Sequence, residues 1–407
     1  MRADPLLDCP LRIPSESRPG EDYFLNGVTM QPPKKNWLNI LFLSFTPIIG
    51  VFGTAAYALA CGVRWWEPVL FLTLFGLVSF SVTAGYHRCF AHKAYVSHPA
   101  LQACYLFLGA MALQNSALKW ASDHRDHHRY VDKDWDPYSI KRGGLFAHIL
   151  WLFYAEPAER SYENVPDLQN NPRVKWQYRW NNWIGIVAGL GIPTLIGALF
   201  GRPLGGLLWG GFLRIVVIHH TTFLVNSVAH LYGTRPYTEE NSARDNGFLA
   251  FITNGEGYHN FHHKFPSDFR NGVRWYQWDP TKWLIATLHF VGLAGDLRKT
   301  PKAVIETSRL RMSLGKAEAR LVHAPAGIAE EIRVYMERAR RALDSAVEAW
   351  HNADAKRHEL IERGRTASSD LAVAWRKELR KSRESLAAAR REWLLAARML
   401  SRLPELS

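Results

Sequence analysis

Cysteine is scarce in this chain. Its 407 residues hold four, Cys9, Cys61, Cys89 and Cys104, scattered with no spacing that suits a zinc finger, a redox pair or a disulfide framework. No C-x-x-C-H for haem attachment, no ferredoxin-like cysteine run and no glycine fingerprint for a dinucleotide appears. The N-terminus also lacks the basic start, apolar core and small-residue cleavage site of a secretory signal, so the first apolar segment is expected to be retained.

Clustered histidine is what the chain has instead. HRCFAH runs from His87 to His92, HRDHH from His124 to His128, and HNFHH from His259 to His263. Helical residues three and four apart share a face. His124, His127 and His128 are therefore expected to converge, as are His259, His262 and His263, each set on a short helix. Their middle and last members are free to face different ions, so two metals fit more naturally than one. In the first box the pair stands five apart, about 140° around an ideal helix. His87 and His92 converge only if the helix ends or unwinds there. NSVAH places Asn226 and His230 four apart, adding a ninth imidazole and an amide oxygen. Such a donor set suits iron, zinc, copper or nickel.

Mean hydropathy is only −0.18 although 47% of residues are hydrophobic, so the apolar residues are concentrated in blocks. Four stretches, 37–61, 68–85, 183–200 and 205–225, approach the roughly 20 residues needed to cross a bilayer. Trp37, Trp65, Trp66 and Trp183 mark their ends as an aromatic belt would. In the fourth stretch, Arg214, His219 and His220 are expected to face protein rather than lipid. A further run, 99–113, is too short to cross and is expected to be interfacial or re-entrant. Four crossings put every histidine box and NSVAH on one side. Lys34 and Lys35 and the basic loops make that side, and both termini, cytoplasmic, with a bacterial inner membrane the favoured setting. The expected fold is an all-α integral membrane protein: four transmembrane helices under a cytoplasmic histidine-rich cap. Its 50 basic against 37 acidic residues then suit anionic lipid, and no nucleic-acid partner is expected.

HRCFAH, SDHRDHH, NSVAH and GEGYHNFHH, in this order between these spans, resemble the integral-membrane fatty acyl desaturase family, in particular its acyl-CoA Δ9 branch, over roughly 37–295. The resemblance implies a di-iron centre. One iron would be held by His87, His92, His124, His128 and His262. The other would be held by His127, His230, His259 and His263, with Asn226 acting through a water. No catalytic residue beyond these ligands is implied, and no bridging carboxylate of the kind found in soluble di-iron bundles. The implied reaction uses O2 and two electrons from an external donor, such as ferredoxin or cytochrome b5 with its reductase. It inserts a cis double bond, at Δ9, into a saturated long-chain acyl group. Membrane hydroxylases and ketolases share the boxes and form the alternative; the GEGYHNFHH and NSVAH forms favour the desaturase. A metal-transport protein is the third reading, although transport sites sit near the bilayer midplane.

Asn115, Trp120 and Asp123 match family positions that bind the acyl-CoA near the metals. Asp123 otherwise reads as a cap and Trp120 as an interfacial residue. Glu256 is expected to orient histidines of the third box by a hydrogen bond, and Asp136 to do similar work or to start a turn. Phe75 and Ser79, one turn apart on the second span, are expected to floor the acyl tunnel or else to pack the helix. Two departures bear on the acyl carrier. Glu156 and Glu159 stand where animal members have a basic pair for the nucleotide phosphates, and Phe223 stands where they have Trp. The carrier is therefore open: CoA held by Arg160, Arg173 or Lys175, an acyl carrier protein, or a phospholipid.

The resemblance stops before the last quarter. Three segments are expected: 1–36, a cytoplasmic lead; 37–295, the membrane and di-iron domain; and 296–407, a charged helical extension. In the extension Met336, Leu343 and Trp350 recur every seven residues, as do Leu379, Leu386, Trp393 and Leu400. Between them a Gly stops one helix, and Ser369 and Asp370 are ready to cap the next. That pattern suits a helical hairpin or short coiled coil. Its Arg-rich faces would be solvated, lie on anionic headgroups or dock an acidic electron carrier.

Overall fold

The computed structural model describes residues 34–154, 161–322, 324–364 and 369–401, with the backbone strands Tyr23–Leu25 and Val28–Met30. The apolar stretches form four long helices, Trp37–Cys61, Trp66–Ala91, Pro172–Leu199 and Pro203–Leu231. The shortest has 25 residues, about 38 Å at 1.5 Å per residue, against a hydrocarbon core of about 30 Å. Each can cross and protrude, and the chain is an integral membrane protein.

Three helices run further than hydropathy indicates. The second continues through the first histidine box, the fourth through NSVAH, and the third starts at Pro172 rather than near 183. Hydropathy marks only the lipid-facing part of a helix, while backbone hydrogen bonding continues into polar sequence. At the third helix the start is set locally. Asn171 Oδ1 accepts from the Arg173 and Val174 amides at 3.0 and 3.4 Å, and Pro172 follows as the first helical residue.

The helices differ in role. Within the apolar windows of the second and fourth, 56% and 50% of residues are buried, against 22% and 28% in the first and third. The second and fourth are thus central and the other two face lipid. Glycines permit the close approaches: a Cβ on Gly50 would lie 2.9 Å from the Phe212 carbonyl oxygen, and one on Gly85 2.7 Å from Tyr105 Cβ. Arg214 is fully buried and donates to the Gly210, Met111 and Gly189 carbonyls at 2.7, 2.9 and 2.9 Å. His219 Nε2 contacts Ala112 O at 2.8 Å, and His220 meets His148 at 3.1 Å. The ionisable groups of the fourth span therefore face protein, as expected. The short run becomes the helix Pro99–Ala110, which packs on the second span through Gly85 and Tyr105 and on the third through Gly185, whose position faces Ala110 O. Strand Val96–Ser97 pairs antiparallel with Ala294–Gly295, joining the exit of the first box to the far end of the same unit.

Two compact units are distinguished, one comprising Met1–Thr234 and Asn241–Lys299, the other Arg235–Glu240 and Thr300–Ser407. The second contains helices Lys302–Leu321, Ala326–Arg363 and Ser369–Leu400. Its core gathers Leu310, Leu314, Ile332, Met336, Leu343, Ala389, Ala396 and Leu400, with Leu386 and Trp393 against it. Ser382 Oγ donates to Ala346 O at 2.8 Å, and Lys356 approaches Glu378 at 4.0 Å. The helix Lys302–Leu321 joins the same core through Leu310, Leu314, Ala317 and Leu321, spaced four, three and four apart, and the sequence reading does not set it apart from its neighbours.

Candidate metal centre

The first box is brought together by an unusual stretch of helix. Over Ser81–Ala91 the backbone bonds from residue i to i+5, and the His92 amide closes it on His87 O at 3.1 Å. A five-residue spacing, wrong for an α-helix, then stacks one side chain above the other. The His87 and His92 ring centroids lie 4.8 Å apart. Arg125, inside the second box, holds the end of this stretch by donating to the Ala91 and Phe90 carbonyls, both at 2.9 Å, while pairing with Asp167 at 2.7 and 3.0 Å. A cation at exposed C-terminal carbonyls is favourable.

The second box rides on helix Ala117–Tyr130, capped by Ser116, whose Oγ accepts from the Lys119 amide at 3.3 Å. The third lies on the short helix His259–Lys264, whose first amides are met from a distance: Asp245 Oδ1 accepts from Asn260 N and Phe261 N at 2.9 and 3.1 Å.

All nine histidines meet in one buried place, in two groups. His87, His92, His124 and His262 form one; His127, His230, His259 and His263 form the other; within each, one nitrogen per ring lies within 4.8 Å of all the others. His128 joins them, its Nε2 2.9 Å from His262 Nε2 and its ring stacked on His263 at 4.2 Å. Asn226, one turn before His230, lines the adjoining cavity.

Their hydrogen bonds tell which nitrogens are free to bind a metal. His87 Nδ1 lies 2.8 Å from Glu256 Oε2, and His127 Nδ1 lies 2.8 Å from Asp136 Oδ1. His230 Nδ1 meets Ser242 Oγ at 2.7 Å, and that hydroxyl donates to Asp132 Oδ1 at 2.6 Å. A ring that donates from Nδ1 to a carboxylate carries its lone pair on Nε2. In the first group these Nε2 atoms crowd one another, His87 against His262 at 3.0 Å and His92 against His124 at 2.7 Å. In the second, His127 Nε2, His230 Nε2 and His259 Nδ1 are buried with no partner among the described residues. Converging, unpaired lone pairs in a dry site are costly without a cation. The residues therefore fit a pair of metal ions.

Electrostatics agree. Burial first, and then the neighbouring imidazoles, hold His92, His124, His128, His259, His262 and His263 well below the ordinary histidine value of 6.5. They stay neutral, as ligation requires. Burial disfavours the Glu256 carboxylate, yet His87 and Arg88 outweigh it and bring the group down to about 2.

Glu256 orients His87 of the first box, not the third-box histidines expected from its position. The chain passes its carboxylate back to the wide-turned helix because the Gly255 and Gly257 backbone turns there; Gly255 has φ +101°. The residues that secure Glu256 were missed by sequence. Arg88 donates to Glu256 Oε1 at 2.9 Å and to Asp279 Oδ1 at 3.0 Å, and Asn271 Nδ2 donates to Glu256 Oε2 at 2.7 Å. Arg88 stands inside HRCFAH, so a charged residue within an otherwise buried box was the available signal; Asp279, Asn271, Ser242 and Asp132 gave none. Asp136 does both jobs allowed to it, since Oδ1 also accepts from the Tyr138 amide at 3.2 Å.

A cavity between the first, second and fourth spans reaches His87, His124, His127 and His259. Asn115, Trp120, Asp123 and Ser79 all line it. Trp120 stacks on His124 at 4.9 Å, Asp123 pairs with Lys119 at 2.8 Å, and Ser79 Oγ accepts from Asn254 Nδ2 at 2.8 Å. Phe75 takes the packing reading: it sits with the apolar cluster around Leu74 and Val78, stacks on Phe71 at 5.9 Å, and is not among the residues lining the cavity. Phe223 does line it. Arg173 and Lys175 are exposed at the start of the third span, while Glu156, Glu159 and Arg160 lie outside the described residues.

Four membrane-length helices with paired histidine clusters at one end of a cavity define a class of membrane protein whose residues can hold two metal ions. The model of the fatty acid desaturase family matches residues 64–292. The chain is 37% identical over 297 residues to acyl-CoA desaturase 1 of Saccharomyces cerevisiae, covering 71% of this chain and 58% of that protein. It is 32% identical over 291 residues to stearoyl-CoA desaturase 5 of Bos taurus, covering 69% and 85%. It is 34% identical over 281 residues to sn-2 palmitoyl-lipid 9-desaturase of a Nostoc species, covering 66% and 92%. The chain thus belongs to the fatty acid desaturase family, in its Δ9 branch. Against the two yeast relatives the match spans only 58% and 56% of their length.

Proposed function

We propose that this protein is an O2-dependent fatty acyl desaturase that places a cis double bond, at Δ9, in a saturated long-chain acyl group. The observation that carries this is the cavity running from among the spans to both histidine groups. The first iron is assigned to His87, His92, His124, His128 and His262, the second to His127, His230, His259 and His263, with Asn226 reaching it through a water. Two irons with O2 would supply the oxidant that can take hydrogen from an unactivated methylene.

The chain's own residues do the rest. Glu256, Asp136 and the Ser242–Asp132 pair fix the rings that face inward. The apolar wall, with Leu43, Val82 and Ile218, would hold the acyl chain and keep water from the reacting carbons. Trp120, stacked on His124, sits where it would set the depth of the chain beside the metals. Asn115 and Asp123 stand at the same wall to meet its polar end.

We assign acyl-CoA as the donor, with the exposed Arg173 and Lys175 available to phosphate; a carrier protein and a phospholipid are the competing donors. Two electrons per turnover come from a separate redox protein of the ferredoxin or cytochrome b5 kind. The histidine side is taken as cytoplasmic, in a bacterium the inner face of the inner membrane. The segment 296–407 is read as a separate helical extension, a hairpin with one further helix, which the cross-helix contacts at Ser382 and Lys356 support.

Expression in a host without desaturases, beside a His259→Ala control, tests the reading. New monoenes with the bond at Δ9 that vanish in the control are expected. Hydroxylated or keto lipids would move the protein to the sister chemistry, and no product when both redox donors are supplied would reject it. Supplying the purified protein with acyl-CoA, acyl carrier protein and phospholipid in parallel identifies the donor.

A further inference from the structure

The helices Ala326–Arg363 and Ser369–Leu400 share one core but carry different surfaces. On the first, eight acidic residues stand against seven basic ones, and its charges pair: Arg333 and Arg340 with Glu318, Arg341 with Glu337, Arg357 with Asp354 and Arg363 with Glu359. Its neighbour has eight basic residues against four acidic, and all eight basic side chains are exposed. Among the described residues only Arg380 of these eight has an acidic partner, Glu384 at 3.4 Å.

The spacing makes the contrast sharper. Arg376 and Arg380, and Lys377 and Lys381, stand four apart on the same helix. Arg376, Arg383 and Arg390 recur every seven residues. Like charges four apart oppose helix formation, and among the described residues only the Arg380–Glu384 pair offsets them. Along the same surface Val373, Leu394 and Leu395 are exposed, 61%, 47% and 41%. A stripe in which exposed basic residues outnumber exposed Glu384, with apolar residues along it, differs from a solvated face, which would gain nothing from exposed leucines.

We propose that this face of Ser369–Leu400 docks on an anionic lipid surface, the arginines meeting phosphate headgroups and Val373, Leu394 and Leu395 entering the headgroup layer. A bilayer is favoured over a protein partner because the unit is covalently joined to a four-span protein, which holds the stripe at high effective concentration near lipid. An extended row of charge also matches a fluid, laterally uniform surface better than a single acidic patch.

The test uses the full chain in nanodiscs of phosphatidylcholine alone or mixed with phosphatidylglycerol. Cys9, Cys61 and Cys104 are replaced by Ser, and an environment-sensitive dye is attached at Ala387→Cys, an exposed position within the stripe. With phosphatidylglycerol the emission shifts to the blue and iodide quenching falls severalfold. Salt reverses both, and so does the combination Arg376→Glu, Arg380→Glu, Arg383→Glu and Arg391→Glu. The pair Arg338→Glu and Arg341→Glu on the balanced helix leaves them in place. Far-UV circular dichroism confirms that the variants keep their helices. Equal quenching in both kinds of disc overturns the proposal, as does an equal response from the balanced-helix pair. Protection that appears only when a small acidic redox protein is added, in discs without anionic lipid, assigns the face to that partner instead.

Discussion

At the scale of single residues, the arrangement around Glu256 decides how firmly the first histidine group is held. Glu256→Gln keeps the shape but removes the charge that fixes the His87 tautomer. Loss of such an outer partner typically weakens metal binding about 10- to 100-fold, and titration of iron per chain against a chelator should show it. Arg88→Met leaves Glu256 and Asp279 buried without their cation, costing about 3–5 kcal/mol, visible as a lower melting temperature in detergent with or without metal. Acid sensitivity follows from the histidines. Their folded values lie below 6.5, so an unfolded chain takes up protons first as pH drops. Stability and metal retention are therefore full above 6.5 and decline as pH falls through it toward the folded values. Glu256, ordinarily near 4.5 and here near 2, adds stability that is lost only between those two values. An iron-release titration should accordingly begin at the histidines, above the carboxylate range. Ser79 lines the cavity and Phe75 does not. Ser79→Phe should shorten the preferred acyl chain and Phe75→Ala leave it unchanged, as read from product profiles.

The elements explain which of these features sequence could disclose. Patterns confined to one helix were legible: the four apolar blocks, the i, i+3, i+4 triplets at His124 and His259, and the seven-residue repeats of Met336 and Leu386. Features that depend on distant segments meeting were not. Nothing near Ser242 or Asp132 marks them as a support for His230, and Glu256 reaches back 168 positions to Arg88. Phe75 and Ser79 share a face by spacing, yet the neighbours of that face change within one turn, from packed apolar side chains to open cavity. The first box lies between these cases. Its spacing announced that an α-helix would fail there, and the i to i+5 bonding is the resolution. One alanine inserted after Phe90 breaks the five-residue spacing and turns His92 away from His87. Metal of the first group should be lost and that of the second retained, which metal analysis and the spectra of the two sites distinguish.

At the scale of the whole molecule, all nine histidines belong to one compact unit. A chain ending at Lys299 should therefore bind as much metal as the full-length protein when both are prepared in detergent; a metal-free product would mean that the extension is needed to build the site. The ligands are spread from His87 to His263, and this has a consequence for the order of biogenesis. When the first box is made, seven of its eventual histidine companions do not yet exist. The 263 − 87 = 176 positions between them take roughly 9–35 s to translate at about 5–20 residues per second. Through that interval a cell holds a half-inserted protein whose site imidazoles grow from two to six before the third box is made. On the proposed assignment both sites are complete only once His262 and His263 exist, so loading would be a late maturation step, and a shortage of iron would let empty, fully inserted chains accumulate rather than stop their synthesis.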